Sequence, residues 1–309
     1  MASQDLSFAC LLRRSVTLCH TARVVRNRFR RIFDTCQPYV VTSAYGSAAE
    51  SGRLPFGLTI APELHFDPLV VASGPFLHTL QRLDQLTFGP VGMPMPRWVF
   101  YDCAEVPGGI FGFARPARDI PSWLRDALEV PHDYDGPVPL SMYVAIPMLE
   151  PGSWHTYTMC SLNEVAPGAG PANLGLFTEA VGLQAFGIRL AYGTTQWRSY
   201  KLGDHAQLGP LDLVTAWTPA HSDPTTLTFT MPVDYKRIET ALMADPVRLD
   251  LDASQTDSQN TSNEIQWIDC DDHKQLIALQ DKIESGRRFQ VIGCPVITGS
   301  YTRVPIREV

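Results

Sequence analysis

The sequence predicts an α+β fold, mainly antiparallel β, in which a barrel-like or cone-like sheet surrounds a buried helix and a helical arm leads the chain. Three observations carry this. Residues Leu6 to Phe33 contain no Pro or Gly and place Phe8, Leu11, Leu12, Val16, Cys19, Val24 and Phe29 at roughly helical spacing. Beyond Pro38 the chain turns to short apolar runs broken by Pro and Gly and enriched in β-branched and aromatic residues, which is the texture of antiparallel sheet. Within that region Ala172 to Phe186 is a mostly apolar helix candidate that follows a Gly/Pro turn. A helix apolar all round belongs inside a protein rather than on its surface.

The elements follow in order. The arm, residues 1–37, holds Arg13, Arg14, Arg23, Arg26, Arg28, Arg30 and Arg31. Three readings of it stand open: a helix packed on the body with its arginines outward, an amphipathic segment for a membrane surface or organelle import, and a nucleic-acid arm. A β-rich core domain is expected over residues 38–249. Its strands are predicted at Trp98 to Cys103, Leu140 to Pro147, His155 to Leu162, Ile188 to Tyr192, Trp197 to Lys201, Leu211 to Trp217 and Leu227 to Pro232. In Thr156-Tyr157-Thr158-Met159-Cys160 the threonines take one face and the larger residues the other, so one sheet face is buried and one is polar or lines a cavity. Helices are expected at Pro121 to Leu128, Ala172 to Phe186 and Tyr235 to Met243. Residues 250–263, rich in Ser, Gln, Asp and Asn, read as a flexible linker. Residues 264–309 form a C-terminal appendage, with a helix from Asp271 to Ser285 and strands Phe289 to Ile292 and Tyr301 to Ile306.

Composition excludes several functional classes. Hydrophobic residues make up 45% of the chain and charged residues 18%, ordinary for a globular protein and far from disorder. No apolar run approaches the roughly 18 residues that cross a bilayer, and the start lacks the order of a secretory signal, so a cytoplasmic protein is expected, with organelle import through the basic helix left open. Seven scattered cysteines without a Cys-x-x-Cys pair read as reduced, mostly buried thiols. The first 31 residues hold seven arginines against Asp5 alone, which leaves a downstream body of charge -13. An acidic body argues against nucleic acid as a partner, because such a partner needs basic surface to neutralise its phosphates.

Motifs for familiar chemistries are mostly missing. There is no Gly-x-Ser-x-Gly elbow, phosphate loop or His-Glu-x-x-His, and the eight histidines never fall at metal-like spacing, so no metal is expected. Gly168-Ala169-Gly170-Pro171-Ala172-Asn173-Leu174-Gly175 looks like the glycine turn of dinucleotide enzymes. Asn163, Glu164 and Pro167 interrupt the strand that should lead into it, and no acidic residue follows at ribose-binding distance, so no cofactor is expected. In the cluster Tyr101, Asp102, Cys103 and Glu105 a mid-strand carboxylate is either a buried functional acid or, the favoured reading, faces solvent beside a Pro-Gly-Gly turn. The band from Thr194 to His221 concentrates polar and aromatic residues in β-like surroundings. Strand alternation would put Gln196, Arg198 and Tyr200 on one face and Trp197, Ser199 and Lys201 on the other. Acid-base chemistry needs a group that titrates near neutral pH, which His155, His205 or His221 could supply, with Arg198 stabilising an anionic intermediate or carboxylate. Trp197, Tyr200, Gln196, Lys201 and Tyr157 are the substrate-binding candidates, and exposed sheet residues and loop caps are the competing reading.

In order and texture, Val99 to Pro219 resembles the acetoacetate decarboxylase superfamily over roughly 120 residues. The resemblance lies in the Gly turn Val106-Pro107-Gly108-Gly109-Ile110-Phe111-Gly112-Phe113, the stretch Asp119-Ile120-Pro121, the strand bearing Met142 and Tyr143, the buried helix after Pro171-Ala172, and the run Leu208 to Ala216. It implies a cone-like barrel with a cavity and, in that family, a Schiff-base lysine near the end of the buried helix. The corresponding stretch here, Val181-Gly182-Leu183-Gln184-Ala185-Phe186, has no lysine, and Arg115 and Arg118 stand where the family has a glutamate. The reading is therefore a barrel that binds a small oxygenated molecule, keto or carboxylate. It would act, if as an enzyme, as a decarboxylase-like lyase or an isomerase by acid-base chemistry. The rival is a ligand-binding or scaffold protein that docks on a partner or membrane through the basic helix; homo-oligomerisation stays open.

Overall fold

The structure, a computed structural model, describes residues 21–43, 54–71, 74–92, 94–96, 108–243, 265–298 and 301–309. The first part of the arm, the strand expected at Trp98 to Cys103 with its Tyr101, Asp102 and Glu105, and the linker 250–263 lie outside the described residues. The chain divides into two compact units, Met1–Tyr143 with Met159–Phe186, and Val144–Thr158 with Gly187–Val309.

In the first unit, residues 21–28 are helical, and after a break at Phe29 the helix α1 covers Arg30–Thr35. Strand β1 (Gln37–Val41) lies between the two-residue β2 (His65–Phe66), parallel to it, and β3 (Gly109–Pro116), antiparallel with Gln37 opposite Ala114 and Val41 opposite Ile110. Strand β4 (Pro137–Pro147) follows β3 in the ladder. Helix α2 (Pro75–Phe88) starts with proline in its first turn, where the missing N–H costs nothing, and ends before Gly89-Pro90. It buries Phe76, Leu77, Leu80 and Leu83 at helical spacing. The short α3 (Ser122–Ala127) comes next, and α4 (Leu174–Ala185) buries eleven of its residues, so the expected buried helix is present.

Phe177 of α4 is the hub of this unit. Phe29 stacks on it at 4.5 Å, Phe113 at 5.6 Å and Phe56 at 6.0 Å, while Phe33 meets it edge-on at 5.5 Å. Val25, Phe29 and Ile32 are buried, whereas Arg23, Arg30 and Arg31 are exposed. Residues 21–35 are thus packed on the first unit with these arginines outward.

The polar groups beneath this hub form a directed chain. Thr178 Oγ1 donates to the Leu174 carbonyl (2.7 Å), so its lone pairs accept the Ser141 hydroxyl (2.7 Å), and Ser141 Oγ in turn accepts the Phe113 N–H (3.3 Å). Tyr39 Oη donates to the Ser141 carbonyl at 2.7 Å. A Cβ at Gly112 would lie 2.1 Å from that carbonyl oxygen, so only glycine lets the strands approach here.

In the second unit β5 (Ser153–Ser161, its last residues in the first unit) pairs parallel with β6 (Leu190–Gln196), and β6 pairs antiparallel with β8 (Thr226–Pro232). Then come β7 (Leu211–Thr215), β10 (Phe289–Val291) and β12 (Tyr301–Glu308), each antiparallel to its neighbour. Strands β9 (Ile265–Asp269) and β11 (Val296–Thr298) both pair with β12. The C-terminal strands therefore extend the ladder of β7. Helices α5 (Tyr200–Leu208), α6 (Tyr235–Met243) and α7 (His273–Glu284) complete the unit. The fold is α+β with a mostly antiparallel sheet, as expected. Its strand order has two ends, β2 and β11, so the ladder is not closed into a barrel.

Truncating Phe29 tests whether the arm belongs to the core. Phe29→Ala is expected to lower the unfolding free energy in urea by roughly 3–5 kcal/mol, the cost of a buried aromatic cavity. A change below 1 kcal/mol would place the arm outside the cooperative unit.

Candidate functional site

The second unit's sheet has two unlike faces. On β8, Leu227, Phe229 and Met231 are buried while Thr228 and Thr230 are half-buried, and the same alternation runs through β6, β7 and β10. The half-buried face carries a row of polar residues in cross-strand register: His155 opposite Tyr192, Tyr192 opposite Thr230, Thr230 opposite Asp212, Asp212 opposite Gln290, and Gln290 opposite Arg307. Sequence reading found His155 alone of these. The others lie far apart in the chain, and only the register joins them.

His155 is the chemically competent member. Its ring meets Tyr157, two residues along the same face, edge-on at 5.8 Å. Burial pushes its pKa below the usual 6.5, and a hydrogen bond with the Tyr192 backbone opposes that push only in part. The imidazole is therefore neutral at pH 7, with a lone pair available to accept a proton.

His205 lies elsewhere. It is 6% exposed, and its ring tilts against Phe229 at 5.2 Å. Phe229 stands on the buried face, in register with Gly193, where an added Cβ would strike the Phe229 ring at 2.4 Å. The sheet thus separates His205 from His155, so the two histidines do not share a site.

The expected strand from Trp197 to Lys201 is a correction. Strand β6 ends at Gln196, and Ser199 caps α5 by accepting the Lys201 N–H (3.2 Å), so the assumed alternation of Gln196, Arg198 and Tyr200 against Trp197, Ser199 and Lys201 does not exist. A serine able to satisfy a first-turn N–H outweighed the β-like side chains around it. Trp197 is fully buried, with Nε1–H donating to the Ala216 carbonyl at 2.7 Å. Gln196 donates to Asp223 Oδ2 (2.9 Å), while Thr225 donates to Asp223 Oδ1 through both its backbone and its hydroxyl. Arg198 forms an ion pair with Asp271. Lys201 Nζ sits 3.5 Å from Asp204 and 5.0 Å from the centre of the exposed Tyr200 ring. These five candidates gather at the turn between β6 and α5, where they contact groups of the protein itself.

The first unit holds a groove of about 570 Å³ lined by Phe33, Cys36, Arg115 and Asp119 among others. Arg115 donates there to the Thr35 carbonyl (3.0 Å) and to Thr35 Oγ1 (2.5 Å), capping the end of α1, and burial pushes the Cys36 thiol up. The Cys36 thiol is therefore held protonated rather than poised as a nucleophile. The nucleotide-like glycine turn is folded on itself, with Gly170 N–H donating to Asn163 Oδ1 (2.9 Å) and Asn163 Nδ2 to the Pro171 carbonyl (2.7 Å). Among the described residues no group of His, Cys, Asp and Glu could hold a metal ion, and no helix is long and apolar enough to cross a membrane.

Asp84 of α2 is a titratable group that sequence reading missed. It is 1% exposed, and Oδ2 accepts the Met95 N–H at 2.7 Å while Oδ1 has no hydrogen-bond partner among the described residues. Burial pushes its pKa from 3.8 to about 6, against the opposing pull of that hydrogen bond.

No protein-family model matches the chain, and no curated protein matches it.

Because its pKa is raised on folding, Asp84 binds its proton more tightly in the folded state than in the unfolded one. Stability should then fall as pH rises from about 4 to about 6 and stay lowered above that. Asp84→Asn keeps an acceptor for Met95 and removes the charge, and is expected to raise the unfolding free energy at pH 7 by about 2 kcal/mol and to flatten that slope. Identical pH profiles of stability for the two proteins would contradict the assignment.

Proposed function

We propose that the chain binds a small oxygenated organic molecule, a keto acid or related carboxylate, on the half-buried face of the second unit's sheet, with His155 as the proton-transferring group. The observation that carries this is His155 itself. It is a neutral imidazole with depressed basicity, on the half-buried sheet face, flanked by Tyr157 and in register with Tyr192. A neutral imidazole beside a carbonyl compound takes a proton from the carbon next to the carbonyl, leaving an enolate and an imidazolium. Enolate formation is the step shared by isomerases and by decarboxylase-like lyases.

The ordered resemblance of Val99 to Pro219 to the acetoacetate decarboxylase superfamily supports the substrate class. A cone-like barrel belongs to the same proposal, and only its antiparallel part has support in the strand order. The residues also argue for acid-base rather than Schiff-base chemistry. Helix α4, buried like the helix that bears the family's lysine, has none, and the four lysines of the chain, Lys201, Lys236, Lys274 and Lys282, all follow it in sequence. Arg198 and His205, expected to share the chemistry, are not part of the proposed site.

A second reading rests on Arg23, Arg30 and Arg31, which point outward from a helical segment anchored by Val25, Phe29 and Ile32. These cations would suit docking on an anionic partner or membrane surface without catalysis.

The two readings are separated by measuring exchange of the methyl protons of pyruvate in D2O by NMR. The wild type should accelerate exchange, with a rate that rises with pH through an inflection below 6.5 and levels off above it, because His155 must be unprotonated. His155→Asn should lose at least tenfold and the inflection with it. No acceleration with pyruvate or acetoacetate, together with charge-dependent sedimentation on phosphatidylserine vesicles that is lost on replacing the three arginines by Glu, would favour docking.

A further inference from the structure

The far end of the polar row holds Arg307, with which no carboxylate pairs among the described residues. Gln290 on β10 bridges its two neighbours: its Nε2 donates to Asp212 Oδ1 at 3.0 Å, and its Oε1 accepts from Arg307 Nη2 at 3.1 Å. Both ends of the amide are committed, so its orientation is fixed and it holds the guanidinium in one place. Asp212 is shared instead with Arg288, whose Nη2 lies 3.5 Å from the same oxygen. Among the described residues Arg307 Nε is enclosed without a hydrogen-bond partner, and no carboxylate pairs with this guanidinium.

An enclosed guanidinium N–H without an acceptor is costly, and arginine's planar fork matches a carboxylate. The surroundings add an apolar side. Ile265 of β9 stands opposite Arg307, and Trp267, two residues along the same face and 37% exposed, stands opposite the buried Pro305.

We infer that Arg307, positioned by Gln290, binds the carboxylate of a ligand whose apolar body lies along Ile265 and Trp267. This site is separate from the one proposed around His155. Between β5 and β12 lie five strand spacings of roughly 4.8 Å each, or roughly 24 Å along the sheet, too far for one small keto acid to touch both. The two proposals therefore stand or fall independently.

Calorimetric titration of the full chain with sodium hexanoate, acetate and inorganic phosphate tests it. Hexanoate should bind more tightly than acetate, and at least tenfold more tightly than phosphate. Arg307→Gln should weaken hexanoate at least tenfold. Arg307→Lys, which keeps the charge but loses the fork, should weaken it severalfold and serves as the informative variant if the first fails to fold. No heat from hexanoate at millimolar concentration, unchanged affinity in a folded Arg307 variant, or phosphate bound as tightly as hexanoate would each overturn the assignment.

Discussion

The first unit depends on the side chain of Phe177. Four aromatic rings surround it, drawn from residues 29, 33, 56 and 113, so segments distant in sequence converge on one position of one helix. Each aromatic pair contributes about 0.5–1.5 kcal/mol beyond the burial of its area, and the set makes that position intolerant of a smaller side chain. The close approach explains two glycines. Gly182, one turn beyond the hub, would place a Cβ 2.5 Å from the Tyr143 ring, and Gly112 would place one against the Ser141 carbonyl. A helix gripped this way has little room for a reactive side chain, in keeping with the apolar residues where a lysine was sought.

The buried polar groups of this unit divide into two kinds. Ser141, Thr178 and Tyr39 spend their donors on named acceptors, so they specify how α4 sits on β3 and β4 without leaving an orphan. Among the described residues Asp84 has a single accepted bond for two oxygens, and burial pushes its carboxyl up to about 6. The first arrangement stabilises over the whole pH range, whereas the second destabilises once the carboxyl ionises. A sequence reader sees only polar letters in both cases.

Legibility followed the range of the interaction that decided each element. Helix α4 could be read because its signal, an unbroken apolar run, is local, and α6 was bounded at Tyr235 and Met243 as the structure has it. Helix α2 carries the same kind of local signal, since Phe76, Leu77, Leu80 and Leu83 keep helical spacing after Pro75, but the Pro- and Gly-rich texture around it reads as sheet. Trp197 to Lys201 misled because bulky residues suggested a strand while one hydroxyl, Ser199, decided for a helix start. At the candidate site, His155 and Tyr157 were visible as a histidine and an aromatic two apart on a strand. Asp212, Gln290 and Arg307 were not, because no short stretch of sequence contains two of them and their proximity is created by strand register.

That same register decides which arginine can serve a ligand. Arg198, the expected anion-binding residue, spends its charge on the half-buried Asp271, which leaves little of it for a ligand. Arg307 differs. It is half-buried, so an anion reaching it would meet a less screened charge, and its contact is to a neutral amide, which orients the guanidinium without neutralising it. Had β12 been shifted by one residue against β10, Arg307 would have turned to the buried face and Ile306 outward. The hydrophobic pattern that holds Val304 and Ile306 inside is thus also what presents Arg307 on the polar face, so core packing and the placement of the charge follow from one constraint.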